Sequence, residues 1–141
     1  MSITHTFMIT KGSYVLLLHL PKTQQITIGK KGLVTFKKGY YAYVGSALNG
    51  LDQRLRRHLS HQKKIHWHID YFLEHAHISD IYTRENSRRE ECDIAASFDQ
   101  KFGCIHEFGA SDCACASHLF FGDEAALKTH VSTLDMKKAN L

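Results

Sequence analysis

The chain has 141 residues, of which 43% are hydrophobic and only one is proline, so its composition is that of a folded protein and excludes a disordered one. This length predicts one compact domain over residues 1–141. The longest aliphatic run, residues 15–20, is interrupted by His19, and the N-terminus carries neither a continuous apolar stretch nor a small-residue cleavage site. We therefore expect a cytoplasmic protein with no membrane span and no secretory signal.

The net charge of +4 conceals a division along the chain. Residues 1–69 contain eleven Lys or Arg and one acid, whereas residues 70–141 contain seven Lys or Arg and thirteen acids. Aromatic residues, including Tyr40, Tyr41 and Trp67, are interleaved with the bases of the first half. This combination is typical of a surface that binds a polyanion, so we expect a nucleic-acid partner, with an ordinary solvated basic face as the alternative.

Short apolar segments between Pro and Gly residues predict four strands, which we expect to form an antiparallel meander: 13–20, 26–28, 33–36 and 40–44. After them Asn49 is a candidate N-cap. Leu51, Leu55 and Leu59 follow at intervals of four residues, which predicts a helix with one apolar face.

The second half predicts a helix over 67–77, a strand over 80–83, strands over 105–108 and 119–121, and a helix from Asp123. Between them Ser87 and Glu90 have the spacing of a capping box. Glu91 begins a helical row shared with Ala95 and Phe98, so its carboxylate should face the core edge or a cleft, where it needs a cation. The predicted fold is α/β (α+β), with a small, mainly antiparallel sheet flanked by helices.

Four cysteines are expected to be reduced thiols or metal ligands in the cytoplasm. Cys113, Cys115 and His118, joined by Cys92 or Cys104, would make four zinc ligands. Structural zinc sites usually take paired cysteines two to four residues apart, and the Cys-Ala-Cys spacing here is shorter. We therefore do not expect zinc, and a zinc-stabilised interaction domain remains an alternative function.

Several motifs occur in order along the chain: Gly-Ser-Tyr at 12–14, Gly-Tyr-Tyr-Ala-Tyr-Val-Gly-Ser-Ala at 39–47, Arg54, His-Trp-His-Ile-Asp-Tyr at 66–71, Glu-Cys at 91–92, and Phe-Gly-Ala-Ser-Asp-Cys-Ala-Cys at 108–115. In order and context they resemble the GIY-YIG nuclease superfamily, in particular its small prokaryotic branch described as a domain of unknown function. Ser13 replaces the usual aliphatic residue of the first motif. The long interval between Tyr14 and Tyr43 implies an inserted hairpin.

The resemblance implies a metal-dependent endonuclease acting on DNA, including branched or damaged forms. It implies that Arg54 stabilises the phosphate, that Glu91 holds one Mg²⁺ or Mn²⁺, and that Tyr14 and Tyr43 share the work of base and positioning. Which tyrosine is the base stays open. We expect His58, one helical turn after Arg54, to join these catalytic residues, and nucleic-acid contacts from six more residues: Lys37, Lys38, Ser46, Arg57, Lys63 and Lys64.

Hydrolysis of a phosphodiester requires a base for water, stabilisation of the phosphate's charge and help for the leaving oxygen. Tyrosine titrates near pH 10, so a tyrosinate at neutral pH needs a downward pKa shift of ~3 units, which we expect nearby cations to supply. The main alternative is a nucleic-acid-binding module of the same fold that has lost cleavage.

Overall fold

The computed structural model describes residues 11–47, 50–61, 63–85, 90–109 and 117–139. These residues form eight strands and four helices, in the order β1 (Gly12–Leu20), β2 (Gln24–Ile28), β3 (Gly32–Phe36), β4 (Gly39–Ala47), α1 (Leu51–Leu59), α2 (His68–Leu73), β5 (His77–Glu85), α3 (Glu91–Asp99), β6 (Gly103–Cys104), β7 (Leu119–Gly122), α4 (Glu124–Ser132) and β8 (Lys137–Lys138).

Six strands form one antiparallel sheet in the order β6-β7-β4-β1-β5-β8. β1 is apolar and almost entirely buried, which suits a strand covered on both faces. The predicted α/β class with a mainly antiparallel sheet is confirmed. The predicted meander is wrong, because β1 pairs directly with β4 while β2 and β3 form a separate two-stranded hairpin.

Side chains alternate between the two faces of the sheet and build two cores. One face, with Leu16 and Tyr41, is covered by the β2–β3 hairpin, α1 and α2. The other, with Val15 and Val44, is covered by α3 and α4. We call them the hairpin face and the α3 face.

Helix α1 starts at Leu51 as expected, but its buried residues are Leu51, Leu55 and His58. Leu59, predicted on the packing face, is 37% exposed. The candidate cap Asn49 lies outside the described residues. A helix has 3.6 residues per turn, so a strict spacing of four residues moves gradually around the helix. After two such intervals Leu59 no longer faces the core, and His58 is buried there instead.

Other boundaries differ in the second half. The predicted helix over 67–77 ends at Leu73, because β5 starts at His77 to pair with the whole of β1. Helix α3 begins at Glu91, so Glu90 is its N-cap and not the third residue of a capping box. Ser87 lies outside the described residues. The predicted strand over 105–108 is replaced by the short β6, and β8 was not predicted.

Helix α4 confirms its predicted start. The Asp123 carboxylate accepts hydrogen bonds from the backbone amides of Ala125 and Ala126, and Leu127 and Val131 are buried. In the part of the chain that the structure describes, none of the helices has the length and apolar character needed to cross a bilayer.

The β2–β3 hairpin supplies part of the core, and substitutions at two of its residues test this packing. Phe36 is fully buried against the rings of Tyr41 and Phe72, whereas Leu33 is 61% exposed. Phe36→Ala should lower the free energy of unfolding by ~3–5 kcal/mol and Leu33→Ala by less than ~0.5 kcal/mol, measured by urea denaturation. Equal effects would show that the hairpin does not pack as described.

Candidate functional site

Tyr14 and Gly45 face each other across β1 and β4. A Cβ atom on Gly45 would overlap Cζ and the hydroxyl oxygen of Tyr14 and lie 2.8 Å from Cε1. Only glycine therefore lets the Tyr14 ring lie flat over β4. The ring of Tyr43 lies on the same face, with its centroid 6.4 Å from that of Tyr14.

The Tyr14 hydroxyl forms a hydrogen bond with the imidazole of His58, which lies on α1. Their Oη and Nε2 atoms are 2.6 Å apart, and both residues are buried. A neutral imidazole has one nitrogen that accepts a hydrogen bond. We therefore assign the Tyr14 hydroxyl as the donor of its own proton to Nε2 of His58.

Burial controls the ionisation of Tyr14, Tyr43 and His58. Desolvation raises the pKa of Tyr14 to about 12, although Arg54 opposes it. The pKa of Tyr43 is also raised, by burial first and then by the charges of neighbours that include Glu91. Burial lowers the pKa of His58 to about 3. The expectation that nearby cations lower the tyrosine pKa is wrong on balance, because desolvation outweighs them, and at neutral pH the proton rests on Tyr14.

Arg54 lies at the rim of a cleft beside these residues. Its Nη1 atom donates to the backbone oxygen of Ser46 at 3.1 Å, and its Cζ atom lies 4.3 Å from the centre of the Trp67 ring. The cleft has a volume of about 420 Å³ and is lined by Ala47, Gly50, Gln53, Arg54, Arg57 and Trp67.

Asp70 organises the other side of this cleft. It is fully buried and accepts two hydrogen bonds from Arg57, at 2.8 and 2.9 Å, and two from the backbone amides of His66 and Trp67. These bonds hold the pKa of Asp70 below its usual value even though burial opposes them. Asp70 stands in the motif at 66–71, but the sequence did not predict that it bonds Arg57 at this cleft. The available signal was an acid at the third position of a helix, which is where the acid of a capping box stands.

Glu91 lies on the α3 face, in the helical row of Ala95 and Phe98, and is 3% exposed. The prediction that this acid faces the core is confirmed. Burial is the main cause of the raised pKa of Tyr43, and the charge of Glu91 adds to it. A buried carboxylate is an oxygen ligand of the kind that Mg²⁺ and Mn²⁺ prefer. Among the described residues, no three His, Cys, Asp or Glu side chains group together as a metal site.

The predicted lysine contacts are spread over the molecule. Lys63 donates to the backbone oxygens of His58 and Ser60, so it caps the end of α1. Lys64 is exposed nearby. Lys37 and Lys38 are exposed just before β4, about 26–30 Å of extended chain away from Ser46.

The cysteines differ from expectation. Cys92 is disulfide-bonded, so the prediction of reduced thiols is wrong for this residue, and Cys104 is free. Disulfide formation depends on the distance between two Cα atoms in the fold, which sequence spacing does not reveal. Cys113 and Cys115, the main candidates for zinc, lie outside the described residues.

The close approach of Tyr14 to Gly45 can be tested by a double-mutant cycle. Gly45→Ala should lower the free energy of unfolding by ~1–3 kcal/mol, because the added methyl group displaces the Tyr14 ring. In a Tyr14→Ala background the same change should cost much less, as measured by urea denaturation. Additive costs would contradict the contact.

The low pKa of His58 predicts a pH dependence of stability. Between about pH 6.5 and about pH 3 the unfolded chain binds a proton at His58 and the folded chain does not, so stability falls as the pH falls through this range. His58→Gln should flatten the curve by up to ~1.4 kcal/mol per pH unit, measured by denaturation at each pH. Parallel curves for the two proteins would show that His58 is not buried in its neutral form.

Comparison with known proteins gives a family and no characterised relative. The search of curated proteins and the search of solved structures each found no significant match. A protein-family model, the domain of unknown function DUF123, matches residues 13–139. Because this match includes the site described above and most of the chain, the protein belongs to the DUF123 family.

Proposed function

We propose that this protein is a divalent-metal-dependent endonuclease of the GIY-YIG type, which hydrolyses phosphodiester bonds in DNA, including branched or damaged DNA. The observation that carries the proposal is the hydrogen bond between Tyr14 and His58, beside a cleft that Arg54 lines. These residues come from β1 and α1, and the motif order that resembles GIY-YIG nucleases supports the same assignment.

The structure favours Tyr14 as the group that accepts the proton of water. In the proposed step the Tyr14 oxygen takes this proton while its own proton passes to Nε2 of His58, 2.6 Å away. The hydroxide oxygen bonds to phosphorus as the bond from phosphorus to the leaving oxygen breaks. The leaving oxygen then takes a proton from solvent, and the imidazolium of His58 releases its proton through Tyr14 to solvent. No tyrosinate is needed at rest, which is compatible with a Tyr14 pKa of about 12. The negative charge of a bound phosphate would favour the imidazolium of His58.

Arg54 is placed to stabilise the phosphate in this proposal. Its guanidinium lies at the cleft, where one nitrogen is engaged by Ser46 and the face lies against Trp67. A guanidinium has five N–H donors, so donors remain for phosphate oxygens. Arg57 is less available, because Asp70 holds two of its donors.

Glu91 is the proposed ligand of one Mg²⁺ or Mn²⁺. The ion would supply charge stabilisation to the leaving oxygen. Glu91 itself provides a buried carboxylate at the start of α3.

The proposed nucleic-acid surface extends from the cleft to the hairpin. Gly29 at the hairpin tip lies against the ring of Tyr71 on α2, and the cleft residue Trp67 directly precedes this helix. Lys30 and Lys31 are exposed at this tip. The inserted hairpin therefore adds two cations on the side of the cleft.

A nucleic-acid-binding module without cleavage is the second candidate. The observation that favours it is that burial raises the pKa of both Tyr14 and Tyr43, so neither is ionised at neutral pH. A binder would use the cleft and the basic surface and would not need Glu91.

A cleavage assay with matched variants separates the two candidates. With Mg²⁺ or Mn²⁺ and a panel of duplex, single-stranded and branched DNA, Arg54→Ala and Glu91→Gln should each reduce the cleavage rate by ~10²-fold or more, because each removes charge stabilisation of the transition state. The controls are Arg56→Ala, from an exposed ion pair with Asp52, and Glu90→Gln. Both controls should cleave at the wild-type rate.

The same assay can also refute the nuclease proposal. EDTA should abolish cleavage by the wild-type protein. If the wild type binds DNA with a salt-dependent affinity but cleaves nothing in the panel, the binding module becomes the better assignment. If Glu91→Gln cleaves at the wild-type rate, the role given to Glu91 is wrong.

A further inference from the structure

Two serines with buried hydroxyl oxygens lie side by side on the α3 face of the sheet, and Ser46 as a whole is half-buried. Ser13 and Ser46 are directly paired across β1 and β4, so their side chains point to the same face. Ser13 is fully buried. Neither hydroxyl oxygen has a hydrogen-bond partner among the described residues. A buried hydroxyl in this state costs ~1–3 kcal/mol, so two neighbouring ones need an explanation.

The start of α3 is joined to the same end of the sheet as these serines. Ser13 is also paired with Arg84 of β5, whose side chain therefore points to the same face. Arg84 bonds the carboxylate of Glu90, the N-cap of α3, at 2.9 Å. Glu91 follows, and its helical row packs on the α3 face. The two hydroxyls and the Glu91 carboxylate are thus brought to the same end of the sheet.

We propose that Ser13 and Ser46 supply neutral oxygen donors, beside the Glu91 carboxylate, to a site for one hydrated divalent cation. The chemistry fits a hard cation, because all three side chains offer oxygen and none offers sulfur or nitrogen. One carboxylate with neutral oxygens is also a donor set that Mg²⁺ uses in proteins. The inference deepens the proposed function, since it concerns the metal assigned to Glu91.

Ser46 also connects this site to the cleft. Its backbone oxygen accepts a hydrogen bond from Arg54, while its side chain belongs to the α3 face. The residue that orients the phosphate-binding guanidinium would then contact the cation as well. This places the cation at the end of the sheet where the two faces meet.

The test measures Mn²⁺ binding to the full chain without nucleic acid, by the loss of the electron paramagnetic resonance signal of free Mn²⁺. The wild type should bind one ion, and the Ser13→Ala, Ser46→Ala double variant should bind it ~10–100-fold more weakly. Glu91→Gln should abolish binding. Ser117→Ala is the matched control, since this buried serine already bonds the backbone of Leu119, and it should bind as the wild type does.

Thermal denaturation provides a second readout. Without metal, the double variant should be as stable as the wild type or more stable, because it removes two unpartnered buried hydroxyls. Mn²⁺ should raise the melting temperature of the wild type more than that of the double variant. Equal Mn²⁺ affinity in the two proteins, or no binding by the wild type, would overturn the inference.

The outcomes also distinguish this inference from the nuclease proposal. Mn²⁺ binding that depends on the serines in a protein that cleaves nothing would support the cation site and refute the nuclease. Metal-dependent cleavage with the double variant indistinguishable from the wild type in both Mn²⁺ affinity and rate would support the nuclease and refute the role of the serines.

Discussion

The packing of Tyr14 over Gly45 is the contact on which the candidate site depends. It exists because β1 and β4 are paired in a register that places the ring opposite a residue without a side chain. A shift of one residue would send Tyr14 to the other face, away from α1. The same register sets Ser13 beside Ser46 and brings Tyr43 near Tyr14. One strand pairing therefore positions groups on both faces of the sheet.

The two faces of the sheet carry different polar groups. On the hairpin face, Tyr14 and His58 are enclosed by aromatic and aliphatic side chains, and low polarity keeps both neutral. On the α3 face, hydroxyls and a carboxylate lie at the margin of an apolar core. The proposed proton relay and the proposed cation site would then adjoin at the end of the sheet, where the two faces meet.

The sequence predicted the strands and the fold class well, because Pro, Gly and alternating apolar residues are local signals. It also identified Glu91 as a buried acid from its helical row. The long interval between Tyr14 and Tyr43 also predicted an inserted hairpin. The sequence did not show that β2 and β3 form a sheet of their own or that Asp70 bonds Arg57, because both depend on which distant segments meet. The direction of the Tyr14 pKa shift was missed for a related reason. Sequence shows the neighbouring charges, but desolvation depends on the finished core.

The contacts that fix the Arg54 side chain affect the free energy of ligand binding. An arginine side chain loses up to ~2 kcal/mol of rotamer entropy when it is immobilised. Here the side chain is held by Ser46 on one side and by the Trp67 ring on another before any ligand arrives. That entropy is lost when the chain folds. An anion entering the cleft would then meet a guanidinium that is already ordered, and its affinity would not be reduced by freezing the arginine.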